Sequence, residues 1–188
     1  MDALMAALLA AALGQIGDRP ARLAAILADR YRRTGVIIAA ALVALAGASA
    51  VAAICGALIG PKLTPEARQL FVALALALQG GGMLVVAKAP ERLDRWRLGA
   101  FGTSLAGLFI LAFGDGVQFV VLALAARAGE PVFATIGATI GGLVPLVVAA
   151  TLGEAGWLAL PQAALRRGVG ILFLLVAVWL ALGALRLI

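Results

Sequence analysis

The chain has no histidine, one cysteine, and charge on only 13% of its 188 residues. Without histidine it lacks the commonest metal ligand and the usual proton shuttle near neutral pH. Any metal it handles must therefore be held by oxygen. The single cysteine, Cys55, excludes a disulfide within the chain, and its place in an apolar run reads as that of a small buried hydrophobe. No nucleophile stands beside a base and no metal-binding motif occurs, so the sequence does not read as an enzyme and calls for no cofactor.

What is abundant is apolar: 64% of residues are hydrophobic and the mean hydropathy is +1.12, against about 45–50% apolar residues in soluble domains. The solvent of most of this surface is a lipid bilayer, and the chain reads as a multi-pass protein of the cell membrane. A net charge of +6 might recommend a nucleic-acid partner, but the 15 Lys and Arg are scattered between apolar blocks and form no basic face interleaved with aromatics. Nucleic acid is excluded as a partner; a homo-oligomer is compatible with the composition. Leu4 to Leu13 resembles the apolar core of a leader peptide, yet Asp2 precedes it and no Lys or Arg does, so it is read as part of the first span.

Six apolar blocks are long enough to cross about 30 Å of hydrocarbon. They run Ala3–Ala28, Val36–Ile59, Glu66–Ala87, Leu98–Ala126, Pro131–Leu152 and Ala163–Leu185. Pro20 should kink or break the first. Gly60 and Pro61 end the second, and Thr64 with Pro65 offers a cap and first-turn proline to the third. Gly80, Gly81 and Gly82 read as a surface for close helix packing, Gln79 beside them as packing or ligand, and Trp96, Trp157 and Trp179 as interfacial anchors. The most polar stretch, Lys88 to Arg97, divides the chain into halves at 1–87 and 98–188.

These halves are related. Gly17 and Asp18 recur 97 positions later as Gly114 and Asp115, and the same shift pairs Arg30 with Arg127 and Gly56 with Gly153, giving ten identities over residues 13–56. Three spans per half place the halves in the membrane with opposite orientation, so the expected fold is all-α, six transmembrane helices in two inverted three-helix repeats. The connections on one side hold nine Lys and Arg and those on the other hold four. By the positive-inside rule the nine face the cytoplasm, and both termini lie outside it. Asp18 and Asp115 then sit at membrane depth, where an ionisable side chain marks a functional site by default. Gln15, three residues before Asp18, and Gln118, three after Asp115, are expected on the same helix faces as the acids.

The two copies, Gln15-Ile16-Gly17-Asp18-Arg19-Pro20 and Ala112-Phe113-Gly114-Asp115-Gly116-Val117, resemble the paired Glu-x-Gly-Asp-[Lys/Arg]-[Ser/Thr] motifs of the GDT family of membrane proteins. Gln15 and Ala112 stand where that family has Glu. The resemblance implies exchange of Mn²⁺ or Ca²⁺ for protons, one motif on each of the first and fourth helices, and a cation site built by the acids of both. Asp18 and Asp115 are then the metal ligands and Gly17 and Gly114 the motif glycines, while the amides of Gln15 and Gln118 either add oxygens to the site or hydrogen-bond between helices.

Charge leaves the cargo open. Ca²⁺ or Mn²⁺ wants about six oxygens, several from carboxylates. Arg22, four residues after Asp18, has the spacing of an ion pair with it, or it snorkels to the interface; Arg19 adds a second positive charge. Three readings follow: a divalent cation/proton exchanger, a non-transporting relative with a structural or regulatory role, and an exporter of a monovalent ion or small zwitterion.

Overall fold

The computed structural model describes residues 2–86, 88–129 and 131–186. Ala87, the expected end of the third span, and residues 187–188, at the end of the second half, lie outside the described residues. Among the described residues there are eight α-helices and no strand: α1 Asp2–Gly14, α2 Arg19–Tyr31, α3 Thr34–Ile59, α4 Pro65–Leu84, α5 Gly99–Phe113, α6 Gly116–Ala128, α7 Pro131–Ala159 and α8 Gln162–Ala184. Eight helices replace the expected six because the first and fourth blocks are each broken at the motif. Four helices, α3, α4, α7 and α8, are each long and apolar enough to span a membrane, and the α5–α6 pair, bent by 64°, makes a fifth if counted as one span. The α1–α2 pair is not of that number, since α1 is short and Arg19, Arg22, Asp29 and Arg30 dilute the hydropathy of α2. Even so, α2 is buried continuously from Leu23 to Ala28.

The element order repeats. Asp2, Arg19, Thr34 and Pro65 open the first four helices, and Gly99, Gly116, Pro131 and Gln162, each 97 positions later, open the second four. Packing repeats as well: α1 lies on α7 as α5 lies on α3, α2 on α7 as α6 on α3, and α4 on α8. One polar contact pair obeys the same exchange. Gln69 Nε2 donates to the Leu180 carbonyl at 2.9 Å and Arg166 Nε to the Met83 carbonyl at 3.5 Å, with residues 69 and 166, and 83 and 180, again 97 apart. The caps match too. The backbone N–H groups of Arg32 and Gly129, both in the left-handed region, close α2 and α6 on Ala28 and Ala125. The largest departure from the exchange is that α4 packs along α6, without a comparable seam between α8 and α2.

Small residues set the spacing of the bundle. Gly137 and Gly141 of α7 lie so close to the Leu4 and Leu8 carbonyls of α1 that a Cβ on either would sit 2.1 Å from the oxygen. Backbone approach of this kind is how apolar helices gain contact where lipid offers no hydrophobic drive. In the glycine triple only Gly80 packs this way, against the Gly170 carbonyl of α8, while Gly81 and Gly82 face open space. Two other expectations change. Cys55 is exposed on α3 rather than buried, and Trp157 is buried in the core against α2 residues, leaving Trp179 as the exposed ring. The fifth span runs on past Leu152 to Ala159, but with a kink: Gly153 takes φ +71°, and Asp29 accepts the Glu154 N–H at 2.7 Å where the helix resumes.

The joining segment is pinned to the bundle. Arg30 donates to the Leu93 and Asp94 carbonyls at 2.9 and 3.2 Å, Leu93 is buried, and Arg92 pairs with Glu154 at the end of α7.

Candidate ion-binding site at the two helix breaks

Each motif opens a helix in the middle of the bundle. In the first break, Gly17 turns the chain with φ +68°, a region that costs glycine little. Asp18 then caps α2, its carboxylate accepting the Arg19 N–H at 2.8 Å, and Pro20 takes a first-turn position where no donor is missed. The second break is shorter. Gly114 has φ −86° and closes α5, and Asp115 stands at the cap position of α6 without a side-chain cap bond. At the next residue, Gly116, the Gln79 amide oxygen of α4 lies 2.1 Å from where a Cβ would sit, so a larger residue would have to displace that amide.

The breaks face each other. Asp18 and Asp115 line one cavity of about 520 Å³, together with Gln79, Gly82 and Arg166. Asp115 is half-buried, and its Oδ2 is shut off from solvent with no hydrogen-bond partner. Asp18 is paired. Arg166 Nη1 lies 3.5 Å from its Oδ1, with side-chain exposures of 10% for the arginine and 16% for the acid. The same guanidinium donates to the carbonyls of Gly17 at 3.1 Å and Gly82 at 3.0 Å, with longer contacts to Val85 at 3.4 Å and Met83 at 3.5 Å. Gln79 Nε2 donates to the Gly14 carbonyl at 3.2 Å, tying α4 to the last residue of α1.

The expected residues divide. Gln15 does not share a helix face with Asp18, because α1 ends at Gly14 and both residues lie in the break before α2. It is wholly buried against Gly142 of α7 and Leu45 of α3, with neither side-chain atom hydrogen-bonded, and it does not line the cavity of the acids. Gln118 lies with Asp115 along a separate cavity between α3, α4 and α6, and its Oε1 is buried without a partner. Arg22 does not pair with Asp18. Asp18 lies outside the helix as its cap, so the four-residue spacing does not bring the two together, and the Arg22 guanidinium lies 3.9 Å from Glu154. Arg19 is exposed at the edge of the cavity.

Sequence reasoning missed Arg166, which it counted among the residues of a connecting loop. A signal was present: α8 begins behind Pro161, which places Arg166 one turn inside the helix, and the 97-residue shift pairs it with Gln69, a polar residue inside α4. Gln79 was legible as a mid-span amide with two open roles, and the structure puts it in the cavity wall.

Among the described residues no group of three acids or cysteines gathers as a metal site. An ion held here would take two carboxylates and complete its shell with carbonyl oxygens, amide oxygens or water, an oxygen set suited to a hard divalent cation.

No solved structure matches this chain. A candidate manganese exporter of Vibrio cholerae serotype O1 is 28% identical over 182 residues, covering 94% of this chain and 89% of that protein. The family model described as "Divalent cation/proton antiporter GDT1" matches residues 3–91 and 100–187, one segment in each half. With both halves matched and an acid of each motif on one cavity wall, the chain belongs to the GDT1 divalent cation transporter family.

Proposed function

We propose that the protein is a secondary transporter that exchanges a divalent cation, Mn²⁺ as the leading cargo, for protons at the paired acids Asp18 and Asp115. The observation that carries this reading is the convergence of one carboxylate from each half on a single cavity inside an apolar bundle. A carboxylate in such surroundings is costly unless neutralised, and a proton and a divalent ion are alternative ways of neutralising it. The name of the Vibrio cholerae relative favours Mn²⁺ over Ca²⁺ as cargo.

In this reading α1 with α2 forms a sixth, broken span beside the broken α5–α6 span, and the two halves are inverted repeats that rock about the breaks. The helix starts at a constant shift of 97 residues and the exchange-related packing support it. The side rich in Lys and Arg faces the cytoplasm, with both termini opposite.

Reconstitution into liposomes carrying a Mn²⁺ indicator and a pH dye tests the assignment. Mn²⁺ entry driven by an outward proton gradient, reduced about 100-fold in Asp18→Asn and in Asp115→Asn, is expected. Proton-coupled flux that both variants retain at the parent rate would refute it.

A further inference from the structure

Arg166 occupies a place built for a cation. Its guanidinium is surrounded by the Asp18 carboxylate, the Gly17 carbonyl at the helix break, and the Gly82, Met83 and Val85 carbonyls at the end of α4. The last carbonyls of a helix have no partners of their own and carry the negative end of its dipole. Carboxylate plus carbonyl oxygen is also the ligand chemistry of a hard divalent ion. The arginine side chain borders two cavities: the larger one holding both acids, and a smaller one of about 200 Å³.

We propose that Arg166 is a tethered cation that exchanges places with the transported ion at Asp18, so that each divalent ion displaces the guanidinium from the acid. This rests on the transport reading above and adds a residue to it. Charge supplies the reason. Before the ion binds, Arg166 balances Asp18. A divalent ion held by the two carboxylates matches their charge by itself, so Arg166 kept in place beside it would be a largely buried positive charge without a partner, which is strongly unfavourable.

The other charged groups around the acids act on the return step. Arg19 is exposed at the edge of both cavities, where water screens it. The smaller cavity is lined by Arg22, Lys88 and Arg167, while α4 contributes no charge to either. Glu154 of α7 is engaged with Arg22 and Arg92. A guanidinium moved into the smaller cavity is therefore repelled, and it returns to Asp18 when the ion leaves. This keeps the ion from being trapped.

The test compares Mn²⁺ affinity, by titration calorimetry at one fixed pH, in the purified full chain and in Arg166→Gln, which lacks the competing cation. The variant is expected to bind about tenfold more tightly. Equal or weaker binding by the variant would overturn the exchange while leaving the transport site standing. If the parent binds no Mn²⁺, the cargo reading fails; binding by Arg166→Gln alone would then still support the swap, and binding by neither would overturn it. In case the variant does not fold, phenylglyoxal modification of Arg166 in the parent gives a second readout, analysed by mass spectrometry. Mn²⁺ should raise the rate at Arg166 about fivefold or more; no change, or protection, contradicts the proposal.

Discussion

The two helix breaks carry matching Gly-Asp motifs and differ in what surrounds them. At the first, the chain needs four residues and a left-handed glycine to turn, and Asp18 is capped, paired and crowded by carbonyls that hold Arg166. At the second, two residues suffice, Gly116 yields its space to the Gln79 amide, and Asp115 keeps a buried oxygen with no partner. Equivalent positions are thus neutralised on one side and left waiting on the other. The difference arises from residues outside the motif: Gln69 is the counterpart of Arg166, and Arg19 of Gly116. A symmetrical pair of acids becomes an asymmetrical site because its neighbours diverged.

That contrast predicts opposite effects on stability. Removing one partner of a largely buried pair costs about 3 kcal/mol, so Asp18→Asn should lower the unfolding free energy in detergent by that order. Asp115→Asn removes a carboxylate oxygen that has no partner, and should cost less than about 1 kcal/mol or stabilise. Equal destabilisation by the two would mean that the breaks are alike after all. The next effect lies along the packing seams. Gly141 of α7 touches the α1 backbone where its counterpart in α3 is Ala44. Gly141→Ala forces that seam apart at about 1–3 kcal/mol, while Ala44→Gly costs about 1 kcal/mol from helix propensity. Thermal unfolding of both variants in one detergent ranks them. The smallest effect is expected at Gln15, whose counterpart is Ala112. Gln15→Leu removes two buried groups without partners and should change stability by less than about 1 kcal/mol in either direction; a loss above about 2 kcal/mol would show the amide to be bonded.

Much of this was legible in the chain itself. The membrane class followed from hydropathy, the shift of 97 residues from the matched Gly, Asp and Arg positions, and the candidate acids from their rarity in apolar blocks. What was hidden was the break in the fourth block, and what the first break, expected at Pro20, does to side-chain spacing. Periodicity arguments assume a continuous helix, so the expected face shared by Gln15 and Asp18, and the pair of Arg22 with Asp18, both failed where the chain leaves helical geometry. Charge counting hid Arg166 for a related reason: an arginine near a span's end was assigned to the connection, whereas α8 starts early enough to carry it inward. The polar joining stretch was found, but not that Arg30 and Glu154 tie it to the bundle, since those contacts join residues far apart in sequence.

In the proposed exchanger Asp18 and Asp115 act on one ion together. A double-mutant cycle on Mn²⁺ affinity measures this most directly, using Asp18→Asn, Asp115→Asn and the double variant in purified protein. Shared coordination predicts that either single change removes most of the binding and that the double variant binds little worse than the weaker single one. Losses that add in full, each acid contributing independently of the other, would contradict it.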